Sequence, residues 1–216
     1  MRHSRGENLV RHVNLLLWTV TAVAVVPVTA TAQDDGGWTS TGWSIGGDAL
    51  ATVMRTRPIG AAKETPTGVG LRGIVSYGFT DDWSLFGALQ TVSIRTGSAE
   101  SLRQGEVGGR LTLLDDGFAA RPNFEAAVAM RQITIRLPRV GKTVESISST
   151  GSAAVLAGGV QLFVSPRFAI DVALAVATGS FRDPRIDGER APVLEGSVPS
   201  TTLRIGVKRY LAGSSN

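Results

Sequence analysis

Stretches of about ten residues in which large apolar side chains alternate with small or charged ones recur along the chain, divided by turn clusters. Phe168, Ile170, Val172, Leu174 and Val176 alternate with Ala169, Asp171, Ala173, Ala175 and Ala177. Val69, Leu71, Gly73, Val75, Tyr77 and Phe79 alternate in the same way with Gly70, Arg72, Ile74, Ser76 and Gly78. A period of two is the signature of a strand. Eight such stretches predict strands near 42–55, 67–79, 83–96, 103–114, 120–136, 151–164, 167–181 and 198–211. The stretch 83–96 carries apolar residues in both phases, which leaves its facing open.

The charges decide which face is inside. Asp48, Arg72, Glu106, Arg110, Glu125, Arg131, Asp171, Arg204 and Lys208 all fall opposite the large apolar set, among Gly and Ala. A soluble barrel must fill its interior with the large apolar side chains. The opposite arrangement predicts a barrel with its apolar face in lipid and its charges in a narrow lumen with no room for a row of Leu, Ile and Phe as well. The 26 glycines of 216 residues then serve crowded inner faces and bent strands. Four acids against five bases suit a salt-bridged plug, because an unpaired buried charge is expensive. A conductive or gated pore is the alternative use of the same charges.

The connections support an up-and-down meander. Thr80-Asp81-Asp82, Ser165-Pro166 and 115–119 are short, whereas 56–66, 97–102, 137–150 and 182–197 are longer and polar. Short turns on one side and long loops on the other are the pattern of small outer-membrane barrels. Trp43, Tyr77, Phe79, Trp83, Phe118, Phe124, Phe163, Phe168 and Tyr210 gather at the short-turn side, as an interfacial aromatic girdle would.

Arg2, Arg5, Arg11 and His12 precede an uncharged apolar run over 13–26, and Ala30-Thr31-Ala32 supplies small residues for cleavage. Residues 1–32 therefore read as a secretory signal peptide, cut before Gln33, with an N-terminal anchor helix as the alternative. The run is short of the roughly 20 residues of a spanning helix. The expected organisation is a signal at 1–32, a short segment at 33–41, the barrel over 42–212 and a tail at 213–216.

Removing the signal leaves 19 Lys and Arg against 17 Asp and Glu, no histidine and no cysteine. Scattered bases with few aromatics argue against nucleic-acid binding. The composition also disfavours thiol chemistry, zinc sites and histidine-based hydrolysis. Gly68-Val69-Gly70-Leu71-Arg72-Gly73 matches a dinucleotide fingerprint in letters, but a strand rather than a helix follows it. Gly42-Trp43-Ser44-Ile45-Gly46 matches a nucleophile elbow but lacks a histidine base. Asp81-Asp82 and Asp115-Asp116 lack calcium-loop spacing and read as turn caps. Neither enzyme activity, cofactor nor metal is expected.

Tyr77-Gly78-Phe79-Thr80-Asp81-Asp82-Trp83-Ser84-Leu85-Phe86-Gly87 resembles a strand–turn–strand of the small outer-membrane β-barrel proteins of the OmpA/OmpX-like group. Phe163-Val164-Ser165-Pro166-Arg167-Phe168-Ala169-Ile170-Asp171 is similar to a second such hairpin, and Leu203 to Tyr210 to their closing strand. The resemblance implies an eight-stranded antiparallel transmembrane barrel in the outer membrane of a diderm bacterium. It implies lipid, lipopolysaccharide and the insertion machinery as partners. Such barrels usually end on an aromatic; here Leu-Ala-Gly-Ser-Ser-Asn follows Tyr210, so the insertion signal is expected to be displaced or weakened. The expected role is non-catalytic: structural, adhesive or envelope-stabilising. A narrow channel is the alternative, and a soluble periplasmic lipid-binding barrel a third reading. Arg55, Arg57, Lys63, Arg182, Arg185 and Arg190 make loops 56–66 and 182–197 candidates for an extracellular target or for lipopolysaccharide phosphates.

Overall fold

In the computed structural model the described residues are 40–57, 62–96, 99–113, 120–137, 145–182, 185–186, 189–190 and 197–211. The predicted signal peptide and tail, and Phe118, lie outside them. The strands are β1 (Gly42–Met54), β2 (Thr67–Gly78), β3 (Trp83–Ile94), β4 (Ala99–Thr112), β5 (Ala120–Leu137), β6 (Glu145–Ser165), β7 (Phe168–Phe181), β8 (Arg185–Ile186), β9 (Glu189–Arg190) and β10 (Ser200–Tyr210). Eight of them form one closed antiparallel barrel in which each long strand pairs with its sequence neighbours and β10 pairs back onto β1. Closure removes every exposed strand edge. The short β8 and β9 form a separate hairpin within the 182–197 connection, which sequence periodicity does not detect.

Alternation places the side chains as their polarity requires. Leu71, Leu89, Val107, Val128, Met130 and Leu156 stand exposed on the outer wall. The nine charges of the expected lumen set are all buried. The open phase of 83–96 resolves with Phe86, Ala88, Gln90 and Val92 inward and Leu85 and Leu89 outward. Two strands are longer than predicted, since β4 starts at Ala99 and β6 at Glu145. Their added segments pair with β5, but Ser101, Ser148 and Thr150 face outward there. These segments look like loop in the sequence because Ser and Thr on the outer face break the apolar alternation.

The glycines fall into two groups. Inward glycines sit where neighbouring backbones meet: a Cβ on Gly70 would overlap the Thr91 carbonyl, and one on Gly206 would overlap Asp48 and the Gly47 carbonyl. Outward Gly73 and Gly87 have open space where a Cβ would stand. Packing thus requires the first group and not the second.

The facing is directly testable. A thiol introduced by Leu174→Cys is expected to react with a lipid-soluble maleimide, and one introduced by Ala173→Cys to be shielded. Equal reactivity of the two sites would contradict the arrangement.

Candidate functional site: the filled lumen

The lumen is built in layers, each from inward residues of several strands. At the short-turn end the Arg121 guanidinium lies 4.9 Å from the Phe163 ring centroid, and Phe163 stacks on Tyr210 at 5.6 Å. Gln161 Nε2 donates to Tyr210 Oη at 2.6 Å, and Arg121 Nη1 to Ser40 Oγ at 3.4 Å. The Ser40 N–H donates in turn to Asp81 Oδ1 at 2.7 Å, which draws the lead-in to β1 across this mouth.

Phe163 and Tyr210 therefore do not belong to the outward girdle. Phe163 shares the parity of Gln161, and Tyr210 that of Arg204 and Lys208, so both point inward. Their position beside turns suggested the girdle, but parity fixes their facing. Trp43, Tyr77, Phe79, Trp83, Phe124 and Phe168 are exposed on the outer wall at that end. Trp43 and Tyr77 meet edge-on at 5.1 Å, as do Tyr77 and Phe79 at 5.2 Å.

The middle layer is a charge cluster. Register sets Asp48 beside Arg72 and Arg110 beside Glu125 on adjacent strands. Arg72 Nη1 donates to Asp48 Oδ2 at 2.9 Å, and its Nη2 to Glu106 Oε2 at 3.1 Å. Arg204 reaches across the lumen and bridges Glu125 Oε2 and Glu106 Oε1, each at 3.0 Å. Arg110 donates to Glu125 through Nε at 2.9 Å and through Nη2, and to Asp171 Oδ2 at 2.6 Å. Lys208 Nζ lies 3.9 Å from Asp171 Oδ2. Gln104 Nε2 adds a 2.7 Å bond to Glu106. Charge-assisted bonds of this kind offset the heavy desolvation cost of burying ions, provided each ion keeps its partners. The opposite side of the lumen makes room for these long side chains: β6 and β7 turn inward Ala153, Ala157, Ala169, Ala173, Ala175 and Ala177.

Eight of the nine expected charges are joined in this cluster, and Arg131 is not. It sits one layer nearer the long loops, donates to the Val198 carbonyl at 3.0 Å and Ser200 Oγ at 3.1 Å, and lies 5.5 Å from the Phe181 ring centroid. Above it, Leu50, Met54, Val92, Leu102, Ile133, Ile135 and Val198 close the long-loop end as a buried apolar cluster. This corrects the expectation that the lumen has no room for Leu and Ile. There is room because charges occupy the middle, and the end layer can be filled by carbon. Sequence reasoning missed Arg121, Asn123 and Gln161; Arg121 and Asn123 share the inward parity of Glu125 and Arg131, whereas β6 carries none of the nine charges that could have marked Gln161. Between Ser44, Ser76, Arg110, Lys208 and Tyr210 a cavity of about 10 Å³ remains. That is room for about one water.

No family model and no curated protein matches the chain. Solved structures do. Neisserial surface protein A is 16% identical over 79% of this chain and 98% of its own, with a TM-score of 0.60. Ail, the attachment invasion locus protein of Yersinia pestis, is 16% identical over 78% of this chain and 98% of its own, with a TM-score of 0.47. Outer membrane protein OprG from Pseudomonas aeruginosa is 14% identical over 83% of this chain and all of its own, with a TM-score of 0.45. The chain has the fold of the small eight-stranded outer-membrane β-barrels.

Proposed function

We propose that the protein is an integral outer-membrane barrel with an occluded lumen and a non-catalytic role, in which a rigid wall anchors the long loops at the cell surface. The observation that carries this reading is the inverted facing. Leu89 is 75% exposed and Val128 71% on the outer wall, while Glu106 and Arg110 are 3% and 4% exposed inside. Only lipid makes that arrangement favourable, because each exposed apolar side chain would otherwise remain in water. A soluble lipid-binding barrel would require the reverse.

The channel alternative meets three successive barriers: the Arg121–Phe163–Tyr210 layer, the ion cluster and the apolar cluster from Leu50 to Val198. An apolar constriction also excludes ions by dewetting. Adhesion through loops 56–66 and 182–197 fits this reading, since their bases lie at the long-loop end.

Two measurements test it. Fractionation is expected to recover the protein with outer membranes, in a form whose gel migration shifts on heating; recovery in the soluble periplasm would refute it. Planar-bilayer recording of refolded protein is expected to show no stepwise conductance. Reproducible unitary currents would favour the channel.

A further inference from the structure

Arg131 is the member of the expected lumen set that the ion cluster leaves out, and its identity needs a cause. Its side chain is 2% exposed and makes no ion pair among the described residues. The two glutamates of the cluster are engaged by Arg72, Arg110 and Arg204. A buried cation without an acid is costlier than an apolar side chain of similar volume. Carbon would suit this level of the lumen, since the layer above it is the apolar cluster of Leu50, Met54 and Val198.

What the guanidinium does hold is the connection 182–197, from inside the barrel. Register aligns Arg131 with Gly151, and Gly151 with Phe181. The side chain therefore passes a residue without a Cβ and lies 5.5 Å from the Phe181 ring centroid. It donates to the Val198 carbonyl at 3.0 Å and to Ser200 Oγ at 3.1 Å. Phe181 immediately precedes the connection and Val198 immediately follows it. One side chain of β5 thus touches both stems, with β6 and β7 lying between it and β10.

Other bonds fasten each stem to its neighbour in the wall. The Arg182 N–H donates to the Thr150 carbonyl at 2.8 Å, and Ser149 Oγ donates to the Arg182 carbonyl. The Val198 N–H donates to the Gly179 carbonyl at 2.8 Å, and the Ser197 and Thr178 hydroxyls meet at 3.0 Å. These bonds tie a stem to the strand beside it. Arg131 ties the two stems to each other.

We infer that Arg131 is a positioning residue, a clamp in the lumen that fixes the two ends of the 182–197 connection against one another. It sets how the connection that carries the β8–β9 hairpin is presented, and the buried charge is kept for that purpose and not for the strength of the wall. A connection with fixed ends has less conformational freedom to lose on meeting a partner. The clamp rests on the surface-loop reading for its use, whereas its test is read on the folded barrel.

Protein refolded into phospholipid bilayers is treated with trypsin. Cleavage after Arg185 and Arg190 is compared with cleavage after Lys142, which lies in the 137–150 connection. Arg131→Met is expected to speed cleavage at the first two sites by about fivefold or more and to leave Lys142 unchanged, because proteolysis follows local opening. Its urea midpoint is expected not to fall, since methionine fills the volume and removes an unpaired buried charge. Arg131→Lys keeps a donor for the Val198 carbonyl but has no planar face for Phe181, so its cleavage rate is expected to lie between the two. Heat-modifiable migration shows that each variant is folded; if Arg131→Met fails that check, Arg131→Lys decides alone by the same comparison. Wild-type rates at Arg185 and Arg190 overturn the clamp, because the stems are then held without Arg131. Equal acceleration at Lys142 also overturns it, because Arg131 is then a general brace of the barrel. A folded wild-type protein recovered from the soluble periplasm would refute the membrane reading and leave the clamp standing.

Discussion

Replacing Glu125 with leucine is expected to destabilise the folded barrel by about 3–5 kcal/mol, the usual cost of removing one partner from a buried ion pair. Its carboxylate accepts from Arg110 and Arg204 and lies 3.8 Å from Arg72. Without it three guanidiniums share a closed space, and water cannot enter in quantity to screen them. The measurement is the urea midpoint of the protein in bilayers, followed by heat-modifiable migration. Glu125→Gln preserves the shape and an acceptor oxygen, so its loss is expected to be smaller than that of Glu125→Leu. Adding Arg110→Met to Glu125→Leu is expected to restore part of the loss, because it returns the cluster to equal numbers of acids and bases, with Lys208 3.9 Å from Asp171. An unchanged midpoint in Glu125→Leu would show that the cluster contributes little to holding the barrel.

The second large effect is expected at the closing seam. In Gly206→Val the new side chain would overlap Asp48 and the Gly47 carbonyl on β1, which β10 must approach to close the barrel. Overpacking of an ordinary core costs about 1–3 kcal/mol. Here the obstacle is backbone of the partner strand and a member of the ion cluster, so rotamer change offers no relief. The expected result is loss of the heat-modifiable form. Gly87→Val, on the outer wall, is expected to fold as wild type does. Normal closure of Gly206→Val would mean that the seam can widen without cost.

Parity made most of this legible. A strand turns alternate side chains to opposite faces, so Asp171 among alanines and Arg204 beside Gly206 could be placed inside before any fold was in view. The same rule would have placed Arg121, Phe163 and Tyr210 correctly, had it been applied to the strand ends rather than yielding to their proximity to turns. Other features were not encoded in parity. Which acid meets which base depends on reach across the lumen, as between Arg204 and Glu106, and no local pattern specifies a contact between β10 and β4. The separation of Arg131 from the cluster is of the same kind. The true starts of β4 and β6 were hidden because these strands carry Ser and Thr outside near the long-loop end, a composition shared with loops. The facing of β3 was hidden because Phe86 and Val92 pack inside while Leu85 and Leu89 stand on the outer wall, so both faces carry large apolar residues.

The position of Arg204 and Lys208 on the last strand has a consequence for assembly. A strand slipped by one residue turns its whole inward set outward. In β10 such a slip would carry two cations onto the apolar outer wall and leave Glu106 and Glu125 without their cross-lumen partner. In β5 it would do the same to Glu125 and Arg131, and in β4 to Glu106 and Arg110. Hydrophobic burial alone discriminates poorly among registers, because neighbouring apolar side chains are nearly interchangeable. The ion cluster is not interchangeable, since its members come from six strands and meet only when all six are aligned. Misaligned closure thus costs more through the charges than through the apolar outer surface, where neighbouring side chains can replace one another.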